Sequence, residues 1–254
     1  MVITLKVINM PLPVKQAYER HYINRETRRG HAKAHVSELV FCIRKAWYNR
    51  FYGQTFTPSR YCTMGRGEAI EHWNLMYYPQ DWKQVRVEND WIIGTMDGKI
   101  DNLRWQFGLE MKTTVWGKDY NHFPIQDYYM RQIMLYHYLS GLLMVLWVHN
   151  FVFKTKEDGE SKSLTDEMQF VVIGDKADEK KYSREWYRSL TRIAKKYITY
   201  YVAEQKLPPK DPQETWECDY CDYKEMCDKE IWLELLTGEI PKLELNNNES
   251  DVPF

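Results

Sequence analysis

Three closely spaced cysteines near the C-terminal end constrain the fold of this chain more than any other sequence feature. Cys218, Cys221 and Cys227 follow a C-x-x-C-x-x-x-x-x-C spacing, which is typical of thiolate metal ligands in a chain that is not secreted. Three ligands leave a tetrahedral site incomplete, and a fourth thiolate could come from Cys42 or Cys62. A site shared with Cys42 would join segments about 175 residues apart and close a very long loop.

The number and spacing of the cysteines also favour a cofactor and a compartment. Five cysteines in 254 residues are too few for a disulfide scaffold, so we expect a reducing, cytoplasmic setting. Zinc ribbons usually combine two C-x-x-C pairs that are close in sequence, whereas this fourth ligand would be distant. The pattern therefore favours an iron–sulfur cluster and leaves zinc as the alternative occupant.

Charge is unevenly distributed along the chain, although the formal net charge is only −1. Residues 1–60 hold 11 Lys or Arg and 3 Asp or Glu, a net of +8, whereas residues 211–254 hold 3 and 13, a net of −10. The basic part predicts contact with DNA, at Arg44 and Lys45; the alternative is a solvated surface whose two ends neutralise each other. The near-neutral total and the 44% of hydrophobic residues exclude a basic packaging protein and a disordered acidic chain.

We expect no targeting or membrane segment. Residues 1–10 lack the charged start and long apolar core of a signal peptide. The longest apolar run, Leu142–Val148, is far shorter than a membrane-spanning helix.

Hydrophobic periodicity predicts an α/β fold with helices on both sides of a mixed central sheet. Ser37 is the expected N-cap of the first helix, and Gly141 the expected end of a helix that begins near Asp127. The Val-, Leu- and Phe-rich run at 142–153 is expected to be a buried central strand. The expected elements are helices near 37–47 and 65–78, strands near 85–88, 91–100 and 105–114, a helix over 127–140, strands near 142–153 and 168–173, and a helix over 176–206.

Two carboxylates and a lysine form the clearest candidate catalytic group. Glu110 and Lys112 are two residues apart on one predicted strand, so their side chains point to the same face. A turn centred between Leu103 and Arg104 would place Asp97, on the preceding strand, directly opposite Glu110. Facing carboxylates repel each other unless a cation lies between them, and Lys112 or a divalent Mg²⁺ or Mn²⁺ ion would supply it.

This combination is suited to the hydrolysis of phosphodiester bonds. A metal ion held by two carboxylates lowers the pKa of a bound water and neutralises charge on the phosphate oxygens. A lysine adds positive charge near the attacking water or the scissile phosphate. The alternative is a surface strand with an ordinary ion pair, because a bare D…E-x-K pattern is short and its residues are common.

Other side chains fit the same interpretation, although each alone is more often an ordinary packing residue. His72, on the second predicted helix, could provide an imidazole ligand to Mn²⁺. Gln132 and Tyr136 are four residues apart on one helix face and could hydrogen-bond a phosphate or a base. Four aromatic residues could stack on bases of single-stranded DNA or pack in the core: Tyr120, Phe123, Tyr128 and Tyr129.

Taken in chain order, these residues resemble the iron–sulfur branch of the RecB-like nucleases, within the PD-(D/E)xK superfamily. The closest single-domain match is the CRISPR-associated Cas-four exonuclease family, over about residues 36–230. The resemblance is carried by Cys42, Gly67, His72, Asp97, Glu110-x-Lys112, Gln132-x-x-x-Tyr136, Cys218, Cys221 and Cys227.

The resemblance implies a role for each matched residue. His72, Asp97 and Glu110 would bind catalytic Mg²⁺ or Mn²⁺, and Lys112 would be the catalytic lysine. Gln132 and Tyr136 would contact DNA. Four cysteines would hold a [4Fe–4S] cluster: Cys42, Cys218, Cys221 and Cys227.

The implied protein is one nuclease domain over residues 36–230, with a restriction-endonuclease-like core and an iron–sulfur staple between its N- and C-terminal segments. Residues 1–35 would be a basic extension and residues 231–254 an acidic tail. The implied activity is metal-dependent cleavage of single-stranded DNA, 5′ to 3′, in CRISPR spacer acquisition beside an integrase. The alternatives are a repair, replication or virus-encoded nuclease of the same fold, and a non-catalytic iron–sulfur DNA-binding subunit.

Overall fold

The computed structural model describes residues 32–52, 67–72, 74–101, 104, 106–117, 126–155, 162–173 and 181–229. Most of the basic extension, the whole acidic tail and Cys62 therefore lie outside the described residues. The same holds for Tyr120 and Phe123.

A six-stranded mixed sheet forms the centre of the described structure. Its strands are β1 (Ala34–His35), β2 (Lys83–Glu88), β3 (Ile92–Asp101), β4 (Gln106–Gly117), β5 (Leu143–Thr155) and β6 (Lys162–Ile173). The order is β1-β3-β4-β5-β6, and β2 pairs with β3 on its other edge. The β1–β3 and β4–β5 pairs are parallel and the others antiparallel. The predicted mixed sheet is confirmed.

Helices flank this sheet. They are α1 (Val36–Leu39), α2 (Ile43–Tyr52), α3 (67–72), α4 (Asp127–Ser140), α5 (Arg184–Lys196) and α6 (224–229), with short 3₁₀ turns at Gln80–Trp82 and Thr215–Cys218. A π-helical turn, Tyr197–Val202, continues α5. None of the helices among the described residues is both long enough and apolar enough to cross a bilayer.

Helix α4 has the bounds that the sequence predicts. Gly141 follows it with φ +71°, and its N–H donates to the carbonyl of His137 at 2.8 Å. Glycine adopts this left-handed conformation without a steric penalty, so it ends the helix. Because α4 links the parallel strands β4 and β5, it is the crossover helix that such a pair needs.

The predicted first helix is wrong in one respect, because residues 40–42 interrupt it. His35 is the N-cap of α1, instead of Ser37. The backbone groups of the interruption find partners elsewhere: the N–H of Cys42 donates to Glu217 Oε2 at 2.8 Å, and the carbonyl of Val40 accepts from Arg131 at 3.0 Å. These distant partners replace the bonds that a continuous helix would make.

Two other predicted elements are corrected. Strand β5 lies between β4 and β6, but along 143–148 only alternate residues are buried, so one face of the strand is covered. Helix α5 begins after Ser183, whose hydroxyl accepts the N–H of Trp186 at 3.3 Å, and not at residue 176. Ser183 is therefore the N-cap that sets the start of α5.

Gly94 allows α1 and α4 to pack closely against β3. A Cβ atom at this position would lie 2.6 Å from Cε1 of Tyr136 and 2.7 Å from Cγ2 of Val36. Both neighbours are buried in the main core. The glycine is required here because no side chain fits between them.

Replacing Gly94 by Ala is expected to lower the free energy of unfolding by about 1–3 kcal/mol, because the core around Tyr136 would be overpacked. Urea denaturation followed by circular dichroism measures this change. Gly67→Ala is the matched control, since its new Cβ would meet nothing within 4 Å, and it should be neutral or slightly stabilising. Equal losses in the two variants would contradict the packing argument.

Candidate active site and cysteine cavity

Strands β3 and β4 separate at the position of the two predicted carboxylates. The ladder runs from Asp101 opposite Gln106 to Gly98 opposite Leu109, which is the register of the predicted turn. Asp97 is the first residue beyond the ladder, and its Oδ2 accepts the N–H of Met111 at 2.7 Å. The carboxylate therefore replaces the backbone partner that β4 loses as it leaves β3.

Glu110 occupies the centre of this cluster. It is 2% exposed, and its Oε1 accepts hydrogen bonds from Lys112 and, at 2.8 Å, from the amide of Gln132. Among the described residues its other oxygen, Oε2, is buried with no hydrogen-bond partner. An orphaned carboxylate oxygen inside a protein is unfavourable unless a ligand completes it.

Burial raises the pKa values of both carboxyl groups, and the charge of Asp97 adds to this effect at Glu110. Burial, then the charge of Asp97, raise the pKa of Glu110 to about 8, against the opposing effect of Lys112. Burial also raises the pKa of Asp97, while Lys112 and the N–H of Met111 oppose it. Burial would lower the pKa of Lys112, but the carboxylates of Glu110 and Asp97 outweigh it and raise that pKa. The cluster thus retains one cation, and its carboxyl groups resist ionisation unless a further positive charge offsets their burial.

The predicted DNA contacts on α4 lie deeper than expected. Gln132 bonds to Glu110 and donates to the hydroxyl of Tyr136 at 3.3 Å. Tyr136 is only 2% exposed, and its hydroxyl donates to the carbonyl of Thr95 at 3.0 Å. The prediction that Tyr136 contacts DNA directly is therefore corrected. Its ring packs against β3, and its hydroxyl helps to orient Gln132, which reaches Glu110.

The structure does not bring His72 to the cluster. Its side chain is exposed on α3, whereas its neighbour Glu71 is partly buried and accepts a hydrogen bond from Gln84. Burial and the charge of Asp97 raise the pKa of Glu71 to about 7, with Lys112 opposing. Sequence reasoning missed Glu71.

A signal for Glu71 was available in the sequence. Leu75, a buried apolar residue in the helical residues 74–75, lies four positions after Glu71, and positions i and i+4 share a helix face. That spacing favours position 71 over position 72 as the one that faces the sheet.

Four aromatic rings form a row that starts beside Lys112. Its Nζ lies 5.7 Å from the ring centre of Tyr129, and the centres of Tyr129 and Tyr128 are 4.3 Å apart. Trp216 follows at 5.8 Å from Tyr128, and Tyr220 at 6.3 Å from Trp216. Exposure rises along this aromatic row to 36% at Trp216 and 76% at Tyr220. The row connects the acidic cluster to the protein surface.

The four matched cysteines line one cavity. The cavity is partly open to solvent. All four thiols are free, and burial raises the pKa of two of them. The lining includes four cationic side chains. The four cysteines are Cys42, Cys218, Cys221 and Cys227, and the cations are Arg44, Lys45, Lys210 and Lys224.

Hydrogen bonds join the two cysteine segments. Glu217 is 3% exposed and accepts three backbone N–H groups, from Cys42 at 2.8 Å, Gln213 at 2.8 Å and Glu214 at 2.9 Å. Arg44 spans the same junction, because its Nε donates to the carbonyl of Pro208 at 2.6 Å. These bonds hold the N-terminal helix pair to the C-terminal cysteines.

The predicted DNA contact at Arg44 is corrected. The side chain is 2% exposed, and its Nη1 donates to Sγ of Cys227 at 3.7 Å. A guanidinium held in this way faces the cysteine cavity and is not available to a DNA backbone. Lys45 is less buried and lies 5.9 Å from the ring centre of Phe41.

In neither the acidic cluster nor the cysteine cavity do the candidate ligands converge on one point. Within the described part of the chain, no three His, Cys, Asp or Glu side chains are placed to hold one metal ion together. Magnesium does not require three, because it commonly binds one or two carboxylates and keeps several waters. Asp97 and Glu110, with the orphaned Oε2, therefore fit a hard, hydrated cation.

The four cysteines are a donor set that suits either a zinc ion or an iron–sulfur cluster. Cationic side chains line the same cavity, and their positive charge would offset the negative charge of bound thiolates.

Comparison with known proteins supports the fold. No family model matches the chain, and no curated protein matches it. The crystal structure of SSO0001 matches with a TM-score of 0.54 and 17% identity, over 85% of this chain and 94% of that one. A phage-related exonuclease from Haemophilus somnus 129PT matches with a TM-score of 0.39 and 16% identity, over 67% and 83% of the two chains. At these identities the first match shows a shared fold, and the second is too weak to show one.

Proposed function

We propose that this protein is a divalent-metal-dependent deoxyribonuclease. The observation that carries the proposal is the convergence of Asp97, Glu110 and Lys112 where β3 and β4 separate, with Oε2 of Glu110 buried and unpartnered. Buried carboxylates beside one lysine suit the binding of a cation and of a phosphate group. The order of motifs in the sequence supports the same reaction.

Asp97 and Glu110 would hold the metal ion. Bound Mg²⁺ or Mn²⁺ would activate a water and neutralise charge on the scissile phosphate. Lys112 stays cationic, because both carboxylates raise its pKa, so it can stabilise the phosphate oxygens or orient the attacking water. Gln132, on α4, donates a hydrogen bond to Oε1 of Glu110 and thereby keeps Oε2 of the same carboxylate in place.

The aromatic row favours a single-stranded substrate. Bases of a single strand are free to stack on exposed rings, whereas bases in a duplex are already stacked. The row begins 5.7 Å from Lys112 Nζ and ends at the exposed Tyr220, so a strand lying on it would reach the acidic cluster. Adjacent rings of the row are 4.3–6.3 Å apart and edge-on to one another, so bases would stack on the exposed faces of Trp216 and Tyr220.

The cysteine cavity supports a [4Fe–4S] cluster as a second cofactor, with zinc as the alternative. Cys42, Cys218, Cys221 and Cys227 would be its ligands. The hydrogen bond from Arg44 to Cys227 would stabilise that sulfur as a thiolate. The cluster would lie beside the outer end of the aromatic row, because Tyr220 and Cys221 are adjacent in sequence.

The biological setting follows from the sequence resemblance alone. We propose 5′ to 3′ trimming of single strands during CRISPR spacer acquisition, beside an integrase, in the cytoplasm. Interaction with an integrase in a pull-down would favour this setting over a separate repair or virus-encoded nuclease.

Glu110→Gln and Lys112→Ala are each expected to slow cleavage of end-labelled single-stranded DNA by about 100-fold or more, because each removes charge at the reacting phosphate. The assay uses Mg²⁺ or Mn²⁺ and strands labelled at either end, so that it also reports polarity. Asp101→Asn, on the same strand but paired with Lys99, is the control and should cleave normally. Wild-type rates in both site variants would refute the assignment.

Trp216→Ala and Tyr220→Ala are each expected to raise the Kd for a single-stranded oligonucleotide by about 5- to 100-fold, because one stacked base contributes about 1–3 kcal/mol. Fluorescence anisotropy measures the Kd. The slope of log K against log salt should not change, since no phosphate contact is lost. Trp216→Phe keeps an aromatic ring and should retain most of the affinity. An unchanged Kd in both alanine variants would contradict the row as a binding surface.

Protein purified without oxygen is expected to contain about four iron and four acid-labile sulfide ions per chain. Cys42→Ser and Cys221→Ser should each lose most of both, because each removes a ligand. Cys62→Ser is the control and should keep them, since Cys62 lies outside the spacing pattern. One zinc ion and no sulfide per chain would show that the cavity holds the alternative metal.

A further inference from the structure

Gln84 has an unusual backbone conformation at a position next to the acidic cluster. Its φ angle is +51°, in the left-handed region that residues other than glycine rarely adopt. Lys83 pairs with Gly98 and Val85 with Met96, so Gln84 lies across from Asp97 on the neighbouring strand. Such a conformation inside a strand is unfavourable and persists only where surrounding contacts stabilise it.

The side chain of Gln84 connects β2 to α3. Its Nε2 donates a hydrogen bond to Oε1 of Glu71. This bond ties Glu71 to the residue that lies across from Asp97 on β3. Its charge interacts with those of Asp97, Lys112 and Glu110. His72, the next residue on α3, is exposed.

The cluster contains one oxygen that lacks a partner. Oε2 of Glu110 is buried with no hydrogen bond among the described residues, and the whole residue is 2% exposed. A ligand with positive charge is the group that three neighbouring carboxylates and this free oxygen would together accept. The side chain of His72 is exposed and does not take part in this arrangement.

We propose that Glu71, positioned by Gln84, is the third carboxylate of the metal site and acts on the cation through a water bound to it. This inference rests on the proposed nuclease function and replaces His72 by Glu71. A hydrated ion is consistent with the observation that three side chains do not converge on one point. A site built only from carboxylates favours Mg²⁺ and Mn²⁺, whereas an imidazole ligand would extend its range toward Zn²⁺ and Ni²⁺.

Mn²⁺ binding to the full chain tests the proposal directly. The Kd is measured by titration calorimetry and by the electron paramagnetic resonance signal of free Mn²⁺, on protein with its cysteine site as purified. Glu71→Gln and Gln84→Ala should each raise the Kd by about 10- to 100-fold, as is usual for partners outside the first layer of ligands. Glu68→Gln removes the same charge one turn away on α3 and is the matched control.

Gln84→Gly separates positioning from a structural role. Glycine accepts a φ of +51° without strain, so the melting temperature should not fall, whereas the Mn²⁺ Kd should rise as in Gln84→Ala. A purely structural role would move the melting temperature and leave the Kd unchanged.

Two results overturn the inference and differ from a failure of the proposed function. If Glu71→Gln binds Mn²⁺ like the wild type while Glu110→Gln loses both binding and cleavage, the nuclease site stands without Glu71. If His72→Ala raises the Kd and Glu71→Gln does not, the ligand is the histidine. A wild-type protein that neither binds Mn²⁺ nor cleaves DNA would overturn the proposed function itself.

Discussion

The separation of β3 from β4 is the constraint on which the site depends. After Gly98 and Leu109 the two strands part, and β4 continues only with β5, from Glu110 opposite Leu146 to Lys112 opposite Val148 and beyond. Asp97 stabilises the separation by accepting the N–H that β4 can no longer donate to β3. The gap lets Gln132 of α4 reach Glu110 from one side. A continuous hairpin would fill this space with backbone hydrogen bonds.

The part of the fold that depends on local pattern was predictable. The β3–β4 register follows from a single turn and from side-chain alternation, and the end of α4 follows from one glycine, Gly141. These features involve residues close in sequence, so the chemistry of each segment is sufficient to specify them. The convergence of Asp97 and Glu110 follows from the same register.

The rest depends on partners that are far apart in sequence. The interruption before Cys42 exists because Glu217, 175 residues away, accepts its N–H, and Arg44 is buried because Pro208 and Cys227 accept its hydrogen bonds. Charge patterning treated Arg44 as a surface residue, and the family resemblance implied that Tyr136 contacts DNA. In each case a distant acceptor decided the position, and a single sequence does not reveal that acceptor.

The bond between Glu217 and Cys42 has a consequence for the order in which the domain folds. The carboxylate of Glu217 and the guanidinium of Arg44 join segments that are 175 and 164 residues apart along the chain. Contacts this distant in sequence carry the entropy of closing a long loop, so we expect the junction to form late, after the hairpins and helices that depend on local contacts. A change at one end of the domain that weakens the junction should therefore be felt at the other end.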